Sequence, residues 1–591
     1  MKVWSADASR DGRRAELLLG AATAAIVVIP FATVLMPTRL GMLVQAAAII
    51  GVTLALLAVG LLRPGTLGRL AGIPRVAAIA VAAYAAVAVL GAASALTHGN
   101  APAQAAGQLV SLGLLPLGAA AAWALGAPRA VRSLASWIVG VALIFSLVHL
   151  GSWVKAALTR TFFPRLYLSN NVSIAGVALL ALTLALAYFV TTRGWRVPAL
   201  LGVVATLLVV IVGSGTRSLW VATPATAGLF LCLWLLFGHS TRLRTLLLLL
   251  PAVAALFAAW FAADSWYQAT RPNLIPGRLF AEAPWRIPAA VKLVTVGEPP
   301  RQRQALRWQP PECVGREFGV TDPFPVPGPG AYSVRASMRE EGGTTEAYLL
   351  VQWLTAERKP CGYMILRAYP RGDWSWRDEA DVAPAQTAYA QIVLGCKQYG
   401  DNPWMLDDIR LERLGPSALH ALFMQVRFTK RRIGGLVSFL QTGSSGDPSV
   451  VGRLAETQVV LGLLRNGTAA EKLFGFGLGA KFVSPEERGL EVNYLHNYYA
   501  FFIFKTGWVG TLLGVGALAA FVAITFTRAR RAREPRDAAL LWAVLAAWIG
   551  YLAWSNVCPE ILDFRMAPLW GFLVAAVAGS ATEQPGLTAA S

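Results

Sequence analysis

Runs of mostly apolar residues recur along most of this chain, and they constrain its fold more than any other feature. A helix needs about 20 residues to cross the hydrocarbon core of a bilayer. A backbone in lipid must satisfy its own hydrogen bonds, which restricts spanning segments to helices and closed barrels. The runs predict spans at 16–36, 41–62, 74–96, 103–125, 131–153, 171–190, 197–213, 218–238 and 246–264, and three more at 496–526, 537–556 and 565–583. The expected fold is a polytopic α-helical membrane protein of about twelve spans. Composition agrees: 56% of the 591 residues are hydrophobic and only 14% are charged, less charge than soluble proteins carry. The segment at 496–526 is long for one crossing and predicts either a strong tilt or an interfacial turn before it.

Charge sets the orientation. The net charge is +20, and arginine gathers in alternate loops. Arg63, Arg69 and Arg75 lie in one; Arg129 and Arg132, Arg193 and Arg196, Arg242 and Arg244, and the cluster Arg528–Arg536 lie in others. Positive charge marks cytoplasmic loops, so both termini are expected in the cytoplasm and residues 264–493 outside it. The basic excess follows from this rule. No basic soluble domain is present, which argues against a nucleic-acid partner. Membrane lipids are the expected surroundings. Lys155, Arg160, Arg165 and Arg217 break the pattern by falling on the outward side. Either a few exceptions are tolerated, or these side chains face an anionic group at the outer leaflet.

The polar region divides the chain into five parts: 1–265 as the N-terminal membrane domain, 266–305 as an irregular surface segment, 306–415 as a β module, 416–494 as a returning helical segment, and 495–591 as the C-terminal membrane domain. Within 306–415, Ala331–Met338, Ala347–Trp353, Gly362–Ala368 and Trp404–Glu412 read as strands separated by Gly, Pro and Asp turns. Short strands at this spacing predict a β-sandwich. The Gly330-Ala331-Tyr332 strand and the Leu406-Asp407-Asp408-Ile409-Arg410-Leu411-Glu412 strand resemble jelly-roll carbohydrate-binding modules. Trp353, Trp374, Trp376 and Trp404 are candidates for stacking on sugar rings, against the alternative that some fill the core. Of the five cysteines, Cys361 and Cys396 are the candidate disulfide, since an extracytoplasmic module permits one.

None of the five histidines has a partner at metal-ligand spacing, and no cofactor or metal is expected. His496 stands where the tenth span begins, beside Asn497 and Tyr498, and an imidazole there can act as a general base toward a hydroxyl. Guanidinium forks suit diphosphate oxygens, which makes Arg217 and Arg453, with Arg160 and Arg165, the candidate anion-binding set. Glu560 and Asp563 lie on the same expected side. They could orient a base or pair with Arg565 as an ordinary ion pair.

Three stretches in order resemble the O-antigen ligase and polymerase superfamily, bacterial inner-membrane enzymes that move glycans from an undecaprenyl-diphosphate carrier. They are Gly213-Ser214-Gly215-Thr216-Arg217-Ser218-Leu219-Trp220; Arg453 through Gly479, with Leu473-Phe474-Gly475-Phe476-Gly477-Leu478-Gly479 inside it; and Leu495-His496-Asn497-Tyr498-Tyr499. The β module is extra to the family's ordinary loop. The resemblance implies a GT-C-like helical fold and an inverting, metal-independent glycan transfer. It implies His496 as base, Arg217 and Arg453 on the diphosphate, and Asn497 orienting the histidine or a substrate oxygen. The implied donor is an undecaprenyl-diphosphate-linked glycan and the implied acceptor is lipid A-core, which makes a ligase. A second lipid-linked glycan as acceptor would make a polymerase, and a protein hydroxyl a protein O-oligosaccharyltransferase. A lipid-glycan transporter or a glycan sensor is the non-enzymatic alternative.

Overall fold

A computed structural model describes residues 2–32, 38–126, 130–159, 172–213, 217–237, 262, 273–275, 285–289, 291–297, 303–308, 317–340, 346–368, 374–397, 403–414, 448–484, 490–555 and 565–579. The chain forms two compact units. One contains Met1–Leu150, Arg165–Leu250 and Ser449–Ser591; the other contains Gly151–Pro164 and Pro251–Pro448.

The first unit is helical. Its helices are α1 (Lys2–Ala32), α2 (Thr38–Leu62), α3 (Thr66–Ala71), α4 (Arg75–Thr97), α5 (Pro102–Leu125), α6 (Ala130–Thr159), α7 (Val172–Thr191), α8 (Arg196–Gly213), α9 (Arg217–Phe237), α10 (Pro448–Asn466), α11 (Ala469–Phe474), α12 (Tyr498–Arg531), α13 (Pro535–Trp554) and α14 (Ala567–Gly579). Among the described residues, six helices are long and apolar enough to cross a membrane: Leu43–Leu62, Arg75–Thr97, Pro102–Leu125, Ala130–Gly151, Tyr498–Arg531 and Pro535–Trp554. Four shorter apolar helices, Gly176–Thr191, Arg196–Ile211, Ala222–Phe237 and Ala567–Gly579, accompany them. Apart from residue 262, the expected span at 246–264 lies outside the described residues. Helix α14 packs along α5, α12 against α4, and α13 against α7 and α9. Trp542, Trp548, Trp570 and Tyr551 fill the middle of the bundle, with the Trp548 and Trp570 rings 4.2 Å apart.

Hydrogen bonds and ion pairs sort the loops between the two ends of this bundle. Arg63 donates to the Leu125 carbonyl (2.9 Å) and Arg69 to that of Ala124 (3.2 Å). Arg132 forks onto Asp537, with one arm at 2.7 Å, and also bonds Glu534. The Arg536 guanidinium lies 4.9 Å from the Tyr188 ring centroid. Arg63, Arg69, Arg132 and Arg536 thus make these contacts at one end of the bundle, whereas Arg129, Arg242 and Arg244 lie outside the described residues. The opposite end holds the C-termini of α4 and α13 and the N-termini of α5 and α12, where the Tyr498 amide donates to the Ser555 carbonyl at 2.8 Å.

The long segment expected either to tilt strongly or to follow an interfacial turn is two helices joined across a kink. Helix α12 breaks at Gly507, whose φ of 62° and ψ of −167° leave the helical region. The turn expected before the helix is instead inside it, nine residues beyond Tyr498.

The second unit is a β-sandwich. Its strands are β1 (Val291–Val296), β2 (Arg303–Trp308), β3 (Glu317–Gly319), β4 (Phe324–Pro325), β5 (Gly330–Glu340), β6 (Glu346–Leu354), β7 (Pro360–Ala368), β8 (Ser375–Ala383), β9 (Tyr389–Lys397) and β10 (Trp404–Leu414). One sheet runs β1-β2-β10-β5-β8 and the other β3-β9-β6-β7, with β4 also on β9. Leu306, Val334 and Leu411 from the first sheet share a core with Leu349, Val351 and Ile392 from the second. The sandwich begins earlier than the boundary at 306. Strand β1 lies within the stretch expected to be irregular, and Asn273 bonds the backbone of Ile409 and Leu411. As an edge strand with only Val291 buried, β1 shows little of the alternation that identifies a half-buried strand.

Three expectations about this module are corrected. Trp353 and Trp404 are each 1% exposed and belong to the core, Trp353 with its ring 4.8 Å from that of Tyr332. Neither presents a face to a sugar. Trp374 is half-buried, and the side chain of Trp376 lies outside the described residues. Cys361 is a free thiol. It precedes Gly362, which pairs with Trp353, whereas Cys396 pairs with Ala347. The two cysteines thus sit toward opposite ends of β6, about 20 Å apart at 3.3 Å per residue, far beyond the span of a disulfide.

Candidate active site

Helix α10 and the start of α12 bring the central groups together. Arg453 and Glu456 lie three residues apart on α10, so both project from one side of it. Glu456 is 1% exposed, and its Oε2 stands 3.1 Å from Nδ1 of His496. Its other oxygen accepts the hydroxyl of the fully buried Ser484. The His496 side chain is 24% exposed and meets the Tyr494 ring edge-on, with centroids 5.6 Å apart. An imidazole between a buried carboxylate and the surface can take up and give back a proton while its ring stays oriented.

The backbone around His496 is held from several sides. After α11, the segment Gly475–Gly479 passes between helices, bending at Phe476 and turning at Leu478–Gly479. The Phe476 and Gly477 amides donate to the carbonyls of Phe504 and Lys505 at 2.8 and 3.0 Å, and the Leu478 amide donates to that of Gly91 at 2.9 Å. Asn100 donates to the carbonyls of Phe476 and Leu478. Gln108 accepts from the Gly479 amide and donates to the Asn493 carbonyl. The next residues form a hairpin of β11 (Phe482–Ser484) and β12 (Leu490–Val492). Ser484 on this hairpin reaches Glu456, and its second strand leads to His496.

The alternate glycines are required at this crossing. Gly475, Gly477 and Gly479 have φ of 75°, 84° and 77°. A Cβ on Gly477 would lie 2.3 Å from the Ala95 nitrogen, and one on Gly475 would lie 2.5 Å from the nitrogen of Gly507. The Gly-Phe-Gly-Leu-Gly stretch, which turns at Leu478–Gly479, is a strap threaded against α4, α5 and the break in α12.

The structure redistributes the other sequence candidates. Asn497 is the N-cap of α12, its Oδ1 accepting from the amides of Tyr499 and Ala500. That oxygen is committed to the helix and fixes where α12 begins, so Asn497 positions His496 through the backbone. Tyr498 is fully buried, its hydroxyl 3.1 Å from that of Tyr84. It belongs to the bundle core, contrary to a supporting role in the site. Arg217 opens α9, but its side chain lies outside the described residues, as do Arg160, Arg165, Glu560 and Asp563. Among the described residues no group of three or more His, Cys, Asp or Glu is placed to hold a metal ion.

Two buried groups escaped the sequence reading. Nothing in the local sequence marks Glu456, three residues after Arg453, and only the forty-residue separation closed by the fold makes it a partner of His496. Lys505 is wholly buried; its Nζ donates to the Ala480 carbonyl and lies 5.0 Å from the Phe504 ring centroid. It ties the end of the strap to α12. A lysine seven residues after Tyr498 in an apolar run was the available signal.

No family model matches this sequence, and no curated protein matches it. Among solved structures, the chain is similar to the enzymatically active domain of tailspike protein 4 of bacteriophage CBA120, with 11% identity over 24% of this chain and a TM-score of 0.20. It covers 21% of that tailspike chain. It is also similar to a family 16 carbohydrate-binding module, with 18% identity, 24% of this chain and 99% of that one, and a TM-score of 0.19. A family 61 carbohydrate-binding module in complex with beta-1,4-galactotriose gives 18% identity, the same coverages and a TM-score of 0.18. Likeness at these scores carries no argument about what this chain does.

Proposed function

We propose that this protein is an inverting, metal-independent glycosyltransferase of the O-antigen ligase and polymerase kind, with twelve spans in a GT-C-like arrangement in a bacterial inner membrane. The observation that carries the reading is the His496–Glu456 pair. It lies beside Arg453 at the end of the bundle opposite the Arg132 cluster. If that cluster is cytoplasmic, as positive charge favours, the pair faces the periplasm, where lipid-linked glycans are transferred.

In this reading an acceptor sugar hydroxyl approaches His496. The imidazole takes the hydroxyl proton as the oxygen bonds to the anomeric carbon of the donor. The bond from that carbon to the diphosphate oxygen breaks, and its electron pair leaves with undecaprenyl diphosphate. Arg453 and Arg217 neutralise the charge gathering on the leaving group, which lowers the barrier most where water is excluded. No divalent cation is needed for that neutralisation. The acceptor is lipid A-core in a ligase; a second lipid-linked glycan would make the protein a polymerase. The sandwich is the part assigned to hold the glycan, on the strength of its strand resemblance.

The test is transfer in proteoliposomes in the presence of EDTA. The donor is lipid-linked glycan extracted from the cells that make the protein, offered with lipid A-core or with excess donor alone. His496→Ala is expected to lower transfer by 10²–10⁴-fold, the usual range for removing a general base. Transfer that persists at the wild-type rate in His496→Ala, or that vanishes with EDTA, overturns the reading.

A further inference from the structure

The geometry points to Glu456 as the residue that fixes the tautomer of His496, so that Nδ1 carries the proton and Nε2 is the atom that accepts one from the acceptor hydroxyl. This rests on the glycosyltransferase reading and adds a positioning residue to it.

A neutral imidazole has one donor and one acceptor nitrogen. A carboxylate oxygen that carries no proton only accepts, so in the proposed arrangement the Glu456 oxygen 3.1 Å from Nδ1 takes a hydrogen bond from a proton on Nδ1. The lone pair then belongs to Nε2. Glu456 is held for this task. It is 1% exposed, and Ser484, at 0% exposure, donates to its second oxygen. The serine hydroxyl and the imidazole N–H thus occupy both carboxylate oxygens, which leaves Glu456 a single orientation.

Each member of this chain comes from a different element: Glu456 from α10, Ser484 from β11, and His496 from the residue before the N-cap of α12. The strap and hairpin therefore set the base as well as the backbone. When His496 takes the acceptor's proton it becomes imidazolium, and the adjacent carboxylate stabilises that charge with little rearrangement. Glu456 touches neither donor nor acceptor in this account; it acts through His496.

The first arm of the test needs no substrate. Full-length protein carrying ¹⁵N-histidine is reconstituted in liposomes at pH 8.5, and the His496 resonances are assigned by their loss in His496→Ala. A protonated, pyrrole-type Nδ1 with a pyridine-type Nε2 is expected; the reverse pattern overturns the inference. The second arm is kinetic. Glu456→Gln keeps the volume and removes the charge. It is expected to lower kcat by 10–10³-fold and to leave KM for the lipid-linked donor within about twofold, because the diphosphate is held by the arginines. Wild-type kcat in Glu456→Gln, with His496→Ala inactive, sinks the role of Glu456 alone. Wild-type activity in His496→Ala sinks the underlying reading. Should Glu456→Gln fold poorly, the wild-type spectrum still decides.

Discussion

Gly477→Ala asks whether the strap is threaded as described. A Cβ at this position meets the Ala95 nitrogen at 2.3 Å and Cα at 2.5 Å, both backbone atoms of α4 that no side-chain rotation can move aside. The φ of 84° adds a second cost. Left-handed backbone costs an L-residue about 1–2 kcal/mol, and forced overpacking about 1–3 kcal/mol, for a sum of about 2–5 kcal/mol. Two controls separate these contributions. Gly99 has φ of 63° and nothing within 4 Å, so Gly99→Ala carries the backbone cost alone. Gly516 lies within α12, also with nothing within 4 Å, and Gly516→Ala should be neutral or stabilising by up to about 1 kcal/mol. Hydrogen exchange is the assay, because the Phe476, Gly477 and Leu478 amides are each bonded to another segment. Local opening made easier by about 3 kcal/mol speeds their exchange by more than 100-fold. Gly477→Ala should show that acceleration and the two controls should not. Exchange within threefold of wild type at residues 476–478 in Gly477→Ala would refute the crossing, and with it the account of how His496 is placed.

Three further substitutions test the sandwich and the short helix. Trp353→Ala removes a fully buried ring and should cost the sandwich about 3–5 kcal/mol, whereas Tyr363→Ala, at a side chain 64% exposed, should leave thermal unfolding unchanged; equal shifts would contradict the burial. Glu471 closes a capping box with Thr468, its carboxylate accepting the Thr468 amide at 2.6 Å. That hydrogen bond, together with the Thr468 hydroxyl, holds the Glu471 carboxyl below its ordinary value of 4.5. A depressed carboxyl stabilises the fold above its unfolded pKa and loses that contribution as pH falls through the folded value. Glu471→Gln should therefore melt below wild type at pH 7, and the difference should close as pH drops beneath 4.5. A difference unchanged by pH would mean the charge contributes nothing.

The helices were legible because a sustained apolar run leaves its mark on every residue of a long helix, and a twenty-residue average survives local irregularity. The break at Gly507 was not legible from that average. One glycine followed by Trp508 and Val509 changes mean hydropathy little, and its geometry is set by the strap that passes over it. The sandwich shows the same division. Leu349, Val351 and Trp353 alternate with Tyr348, Leu350 and Gln352, a parity that puts Trp353 on the core face although its ring made it a candidate for stacking on sugar. In β10 the register shifts between Asp407 and Ile409, where Asp408 takes φ of 39°. Counting parity through that strand fails because a bulge exchanges its faces. No local rule gives the strand order β3-β9-β6-β7, and without it Cys361 and Cys396 looked like a pair.

The site divides along the same line. His496 could be picked out because a histidine at the head of an apolar run has no packing reason to be there. Glu456 could not, because a glutamate on a helix that also bears Arg453 and Arg465 is what solvent exposure alone would produce. Its meaning comes from being buried, and burial here is tertiary: it requires the hairpin to lay Ser484 over one oxygen and the cap at Asn497 to hold His496 against the other. The residues that tune a reactive group tend to be those whose type is unremarkable for their element and whose environment is supplied by another. In this chain that environment comes from the glycine strap and the hairpin that follows it, whose close approach to α4 and α12 only the fold supplies.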